Sequence, residues 1–183
     1  MRHALKPHPD SPCKAVTGVA VDVAQTPGRL NLRYTLAGAI ADVLLPAAAE
    51  PARTDELWRH TCFEIFIRPA GGDAYAEFNF APSTQWAAYQ FAAYRDGMAN
   101  ADISVPRIRL HSTAEALTLD VSLDLARLPL LAAPSPLWHV GLSAVIEETS
   151  GARSFWALAH APGKPDFHHA DAFGCDLSTA ERP

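Results

Sequence analysis

The 183-residue chain has no uninterrupted apolar run near the ~18 residues that a membrane-spanning helix needs. Its formal net charge is −5 and it has no stripe of lysine and arginine, so neither a membrane nor a nucleic acid is an expected partner. The first residues contain prolines and no apolar segment of the secretory kind. These absences predict a cytoplasmic protein.

Cysteine is also scarce, with only Cys13, Cys62 and Cys175 in the sequence. An odd number without CxxC spacing excludes a standard zinc clip and argues against a disulfide framework. No Ser/His/Asp order, phosphate loop or dinucleotide fingerprint is found either. Whether the protein is an enzyme stays open, but these absences favour a non-catalytic protein.

The composition is that of a globular protein, with 49% hydrophobic and 19% charged residues. Fifteen prolines leave little room for long helices. Turn signals recur about every 8 to 15 residues, and the segments between them alternate apolar and polar side chains. The pattern predicts an all-β fold, a two-sheet antiparallel β-sandwich of the immunoglobulin-like or jelly-roll type with short helical turns. We expect one domain over residues 1–183, with loose tails at 1–12 and 179–183.

Nine strands are predicted from this alternation: Ala15–Val23, Leu30–Leu36, Thr61–Arg68, Ala74–Ala81, Gln85–Tyr94, Pro106–His111, Leu117–Leu123, Leu137–Glu148 and Ser154–His160. Three of them, from Thr61 to Tyr94, are joined by short connections and form a meander. Matching their apolar faces places Glu64 opposite Glu77 on the face that does not enter the core. Asn79 and Trp86 are expected on the same face.

Carboxyl groups on directly opposed residues, with Cβ atoms roughly 5 Å apart, repel each other unless water or a ligand intervenes. Among aromatic side chains such a pair indicates a binding pocket. The alternative is that Glu64 and Glu77 are solvated or paired with Arg59 or Arg95, and the sequence does not decide between the two. The short separation is also that of retaining glycosidases, but a hydrolase needs two acids in different surroundings, and these share one face.

A second hairpin is predicted around a four-residue turn at 149–152. Its alternation puts Phe155 in the core, and Trp156 and His160 on the opposite face with other polar side chains. Trp156 and His160 are therefore further candidates for ligand binding.

Several segments together resemble the bacterial DOMON-like domains, which are related to the family-9 carbohydrate-binding modules and to haem-binding DOMON domains. The resemblance rests on the segments Leu57–Phe66 (LWRHTCFEIF), Tyr75–Trp86 (YAEFNFAPSTQW), Phe155–His160 (FWALAH) and Lys164–His169 (KPDFHH). It covers most of residues 15–175.

This resemblance implies a β-sandwich with a ligand slot on one sheet. It implies that Trp58 and Trp156 clasp a sugar while Glu64, Glu77 and Asn79 bind its hydroxyl groups. Sugar C–H faces pack on aromatic rings, and carboxylates accept hydrogen bonds from paired hydroxyls. The expected function is non-catalytic binding of a small polar ligand, a saccharide or sugar-like metabolite.

The alternative is a haem- or metal-binding domain. The candidate metal ligands Asp166, His168 and His169 lie close together in the sequence, although no helical spacing fixes their geometry. Met98 with one of the histidines would supply the axial pair of a haem. These histidines could equally bond the loop backbone, and the sequence leaves both readings open.

Overall fold

The computed structural model describes residues 1–26, 28–132 and 135–178, so the predicted loose tail at 179–183 lies outside the described residues. Among the described residues, no helix is long and apolar enough to cross a membrane. A short helix α1 (Pro129–Ala132) and three 3₁₀ turns at Ile40–Asp42, Leu57–Arg59 and Ala170–Ala172 interrupt the strands. The strands are β1 Arg2–Pro7, β2 Val16–Thr26, β3 Arg29–Gly38, β4 Cys62–Pro69, β5 Tyr75–Phe80, β6 Trp86–Phe91, β7 Ala99–Asn100, β8 Arg107–Ser112, β9 Ala116–Asp124, β10 Leu137–Glu147, β11 Arg153–Ala157 and β12 Cys175–Ser178.

The strands pair antiparallel in two layers. Sheet A has the order β1-β2-β3-β9-β8, and sheet B has the order β7-β6-β5-β4-β10-β11-β1, with β12 beside the first half of β10. The predicted all-β antiparallel sandwich is confirmed. The nine predicted strands correspond to β2–β6 and β8–β11, whereas the sequence reading missed β1, β7 and β12.

Strand β1 belongs to both layers. Its residues Arg2–Leu5 pair with β2 of sheet A, and Lys6 and Pro7 pair with β11 of sheet B. The prediction that residues 1–12 are loose is therefore wrong. The segment is held because it completes the hydrogen-bonding edges of two strands and buries Leu5, which is only 5% exposed.

The hydrophobic core lies between the two sheets and is built by alternation. In β4, Phe63, Ile65 and Ile67 point inward and are fully buried. In β3, Tyr34 and Leu36 point toward them from sheet A. Since successive side chains of a strand point to opposite faces, the residues of β4 between them, Glu64 and Phe66, point to the outer face of sheet B.

Candidate ligand-binding cleft

A cleft of about 960 Å³ lies on the outer face of sheet B. Its floor comes from β4, β5, β6 and β10. Its walls are the segment before β4, the segment between β6 and β7, and the loop after β11. The lining residues are Asp55, Glu56, Trp58, Glu64, Phe66, Glu77, Tyr89, Phe91, Arg95, Met98, Ala99, Asn100, Val145, Phe155, Pro165, Phe167 and His168.

Glu64 and Glu77 share the floor of the cleft, but not in the predicted register. Glu64 pairs with Asn79, and Phe66 pairs with Glu77, so the two acids are diagonal rather than directly opposite. β4 ends at Pro69 and β5 begins at Tyr75, each one residue later than the predicted strand bounds Arg68 and Ala74. This shifts the pairing by two residues, which preserves the face of each side chain.

Trp86 is not on this floor, and its prediction as a floor residue is wrong. It pairs with Phe80 and points into the core between the sheets, where it is 4% exposed. The connection 82–84 has three residues, and Thr84 within it has a φ of 78°. A hydrogen bond from the Ala81 amide to the Gln85 carbonyl closes this turn. That closure sets β6 one residue away from the predicted register and moves every side chain to the other face.

Trp156 is also in the core. Its predicted position on the outer face, and the sugar-binding role that the resemblance implies for it, are therefore wrong. The β10–β11 turn has three residues, because the Glu148 amide donates to the Ala152 carbonyl, instead of the predicted four. Trp156 consequently pairs with Ala144, and its indole nitrogen donates to the Ser154 hydroxyl at 3.0 Å. Phe155 takes the outward position and lines the cleft.

The other aromatic candidates divide between the cleft and its surroundings. Trp58 lines the cleft with 46% of its surface exposed, and the Arg59 guanidinium lies 5.4 Å from its ring centre. His160 is outside the cleft lining: its Nε2 lies 2.8 Å from the carbonyl oxygen of Lys6, and its ring contacts His8. His160 therefore fastens the end of β11 to β1.

The two floor acids are buried, with Glu64 2% and Glu77 5% exposed, so the alternative that they are solvated is wrong. Neither is paired with the predicted arginines, because Arg59 binds Glu56 and Arg95 binds Asp166. The Ser143 hydroxyl donates to Oε2 of Glu64 at 3.1 Å.

Burial controls the ionisation of both acids. It raises the pKa of Glu64 to about 8, with the nearby Glu77 carboxylate as the second cause. Burial also raises the pKa of Glu77, against the opposing effect of the Asn79 amide, which donates to its Oε1 at 2.7 Å. Asn79 is itself 1% exposed and is not among the lining residues. It lies on the same outer face as Glu64 and Glu77, as predicted, and positions Glu77 through this hydrogen bond.

His168 forms a wall of the cleft next to Glu77. Its Nδ1 lies 2.7 Å from the Tyr75 hydroxyl, and its Nε2 lies 3.7 Å from Oε2 of Glu77. Burial, followed by the positive charge of Arg95, lowers the pKa of His168 to about 4. The imidazole is therefore neutral near pH 7.

Asp166 anchors the loop that carries His168. Its carboxylate accepts hydrogen bonds from the Tyr94 hydroxyl at 2.5 Å, from the Arg95 guanidinium at 2.8 Å and from the His168 amide at 3.0 Å. His169 turns away and accepts a hydrogen bond from the Asp171 amide at the start of a 3₁₀ turn. We call residues 164–169, fastened in this way, the strap.

The predicted metal ligands do not converge. Asp166, His168 and His169 have the separate partners just described, and nowhere in the described ranges do three or more His, Cys, Asp or Glu side chains form a group suited to a metal ion. For the haem alternative, Met98 lies at the cleft with 65% of its surface exposed, while both ring nitrogens of His168 face protein oxygens.

Sequence reasoning missed most of the aromatic wall. Phe66 follows the predicted alternation of β4, but Tyr89 and Phe91, which pack against it on the floor, were not predicted there. Phe155 contacts Phe167 of the strap with ring centres 6.2 Å apart. Tyr89 and Phe91 alternate with the core-facing residues of β6, so pairing Ala81 with Gln85 across the 82–84 turn, instead of matching apolar faces, would have placed them correctly. No local pattern indicates Phe167, which reaches the cleft through the tertiary fold.

A second hollow of about 450 Å³ lies on the outer face of sheet A. It is lined by exposed charges such as Arg33, which binds Asp120, and by Arg107 and Arg109. It contains none of the buried polar side chains found in the described part of the chain. Because buried, incompletely bonded polar groups mark ligand sites more strongly than solvated ion pairs, the cleft on sheet B is the better candidate.

Comparison with solved structures finds the same fold in carbohydrate-binding proteins. A candidate carbohydrate-binding protein from Bacteroides uniformis aligns with a TM-score of 0.67 over 97% of this chain and 85% of its own, at 17% identity. A family-9 carbohydrate-binding module from Caldicellulosiruptor kristjanssonii, solved in complex with cellotriose, aligns with a TM-score of 0.50 over 87% of this chain and 74% of its own, at 10% identity. The chain has the β-sandwich fold of these proteins. No protein-family model and no curated protein matches it.

Proposed function

We propose that this protein binds a saccharide, without chemical conversion, in the cleft on sheet B. The observation that carries the proposal is the pair of buried carboxyl groups, Glu64 and Glu77, at the bottom of a cleft with aromatic walls and an exposed Trp58 at its side. Such a combination provides hydrogen-bonding groups for sugar hydroxyls and apolar surfaces for sugar C–H faces.

The hydrogen bonds of the two acids leave capacity for a ligand. Glu64 uses Oε2 for Ser143, and Glu77 uses Oε1 for Asn79. Within the described ranges, Oε1 of Glu64 accepts no protein hydrogen bond and is not among the fully enclosed atoms that lack a partner. Hydroxyl groups of a bound sugar would satisfy this oxygen and Oε2 of Glu77.

The similar, buried surroundings of the two acids favour binding over hydrolysis. A glycosidase keeps one acid protonated and the other ionised through different surroundings. Here burial raises the pKa of both Glu64 and Glu77. The fold shared with a module solved in complex with cellotriose supports a saccharide ligand. A closer relation to the DOMON-like domains is part of the same proposal and is supported by the sequence segments quoted above.

Titration calorimetry with a panel of neutral mono- and disaccharides, including cellobiose, tests the proposal. We expect at least one to bind in the micromolar to millimolar range. Glu77→Gln and Trp58→Ala should each weaken binding about tenfold or more, since each removes a contact of about 1.4 kcal/mol. Glu115→Gln is the control, because it removes the same charge from an exposed residue on the β8–β9 turn, and it should have no effect.

Fluorescence provides an independent readout, because Trp58 lies at the cleft while Trp86, Trp138 and Trp156 are buried in the core. A binding-induced change in indole emission should disappear in Trp58→Phe. Folded protein that binds no saccharide of the panel, or that binds equally well after both Glu77→Gln and Trp58→Ala, would contradict the proposal.

A further inference from the structure

The charges that line the cleft are unbalanced. Four acids, Asp55, Glu56, Glu64 and Glu77, line it, and Arg95 is the one lysine or arginine among the described lining residues. Arg95 is engaged with Asp166 at 2.8 Å. A ligand with a negative charge would therefore meet acids that no free cation offsets.

The two acids on the rim, Glu56 and Asp55, each bind a neighbouring side chain. Glu56 binds Arg59 at 2.7 Å, and Asp55 accepts a hydrogen bond from the Tyr89 hydroxyl at 2.7 Å. Asp55, however, has no cationic partner within the described ranges.

The two acids on the floor have no positively charged side chain in direct contact. The groups facing Glu64 are the Ser143 hydroxyl and the Glu77 carboxyl, and those facing Glu77 are the Asn79 amide, the neutral His168 ring and, at longer range, Arg95. Buried carboxyl groups are stabilised in their ionised form by a positive charge. The protein supplies none in direct contact, which leaves that position to the ligand.

We propose that the preferred saccharide is an amino sugar whose free, protonated amine binds between Glu64 and Glu77. This inference rests on the proposed function and specifies the substrate class of the same site. The aromatic side chains Phe66, Tyr89 and Phe91 beside the acids add favourable cation–π surface for an ammonium group. A divalent metal ion is a poorer fit, because it requires several convergent ligands and the described residues offer no group of three.

The test compares four monosaccharides that share a pyranose ring and differ in charge: glucosamine, glucose, N-acetylglucosamine and glucuronate. Calorimetry at about pH 6.5 keeps the amine protonated. Because Glu64 carries a proton in the free protein at this pH, binding of the ammonium group should release that proton to the buffer. We expect glucosamine to bind about tenfold or more tightly than glucose or N-acetylglucosamine, as one charge-assisted contact predicts, and glucuronate to bind most weakly. The same order should hold for the corresponding β-1,4-linked disaccharides.

Variants separate charge from shape. Glu64→Gln and Glu77→Gln should reduce the ratio of glucosamine to glucose affinity toward one, while Glu115→Gln leaves the ratio unchanged. Equal or tighter binding of glucose would overturn the amine preference while leaving saccharide binding in place. Binding of none of these ligands or of the neutral panel would instead overturn the proposed function itself. A preference for glucosamine that survives both glutamine variants would also overturn the inference.

Discussion

The Tyr34 hydroxyl donates a hydrogen bond to the main-chain oxygen of Glu64 at 2.7 Å. Tyr34 belongs to β3 of sheet A and is fully buried, so this bond crosses the core and ties the two sheets together at the residue that forms the cleft floor. The Tyr34 ring also packs on Phe63, with ring centres 5.0 Å apart. The position of Glu64 thus depends on the opposite sheet.

Tyr34→Phe removes this bond and keeps the packing. We expect the free energy of unfolding to fall by about 1 kcal/mol, the usual net value of a buried hydrogen bond. Urea unfolding measures it. Thr17→Val is the control, because the exposed Thr17 hydroxyl also donates to a main-chain oxygen, that of Ala37, and its loss should cost less. An unchanged unfolding midpoint in Tyr34→Phe would show that the bond does not couple the sheets.

The raised pKa of Glu64 predicts how stability depends on pH. Its pKa is about 8 in the folded protein against an ordinary value of 4.5, so between these values the folded state binds more protons than the unfolded state. Stability therefore falls as pH rises through this range. His168, with a pKa lowered from 6.5 to about 4, acts in the opposite direction below pH 6.5, because there the unfolded state binds the extra proton.

The two effects overlap up to about pH 6.5. Between pH 6.5 and 8 the His168 effect is absent and the Glu64 effect remains. We expect the unfolding free energy to fall in that interval with a slope of up to about 1.4 kcal/mol per pH unit. Glu64→Gln cannot ionise and should show a flatter profile. Denaturant unfolding at pH 6.5, 7.2 and 8 checks this, and parallel profiles of the two proteins would rule out a raised Glu64 pKa.

The sequence predicts the sandwich well because alternation and turns are local properties. It also places Glu64 and Glu77 on one outer face, since a two-residue register shift preserves the face of a side chain. The faces of Trp86 and Trp156 were predicted wrongly because an error of one residue in the register at a turn reverses the face of every side chain in the strand. Large aromatic side chains are compatible with either face, so their chemistry does not correct such an error.

Other features depend on contacts that no local pattern records. Strand β1 looks like a proline-containing tail, and it is ordered only because two strands from distant parts of the chain offer it hydrogen bonds. His168 reaches Glu77 through the strap, a loop without regular structure. Tertiary placement of this kind requires the folded structure.

Strand β1 offers a direct check. Leu5→Ala should lower the free energy of unfolding by about 2–5 kcal/mol, because Leu5 is 5% exposed and packs in the core. Lys6→Ala, next to it with an exposed side chain, should change stability by no more than about 0.5 kcal/mol. Equal, small effects of both changes would mean that residues 2–7 are loosely held after all.

Asp166 holds the strap in place and offsets the positive charge of Arg95. Asp166→Asn weakens the charge-assisted bonds from Tyr94 and Arg95, so we expect the strap to loosen and saccharide affinity to fall about tenfold. The released Arg95 charge should also repel an ammonium group, so affinity for an amino sugar should fall more than affinity for its neutral counterpart.

Calorimetry with both ligands and hydrogen exchange over residues 164–169 measure the two effects of Asp166→Asn separately. Asp171→Asn is the matched control, because this exposed carboxylate lies 3.6 Å from His169 and does not contact Arg95. If Asp166→Asn increases exchange in the strap but lowers both affinities equally, Asp166 acts through the loop alone. If neither exchange nor affinity changes, Asp166 is not the anchor that holds the strap in place.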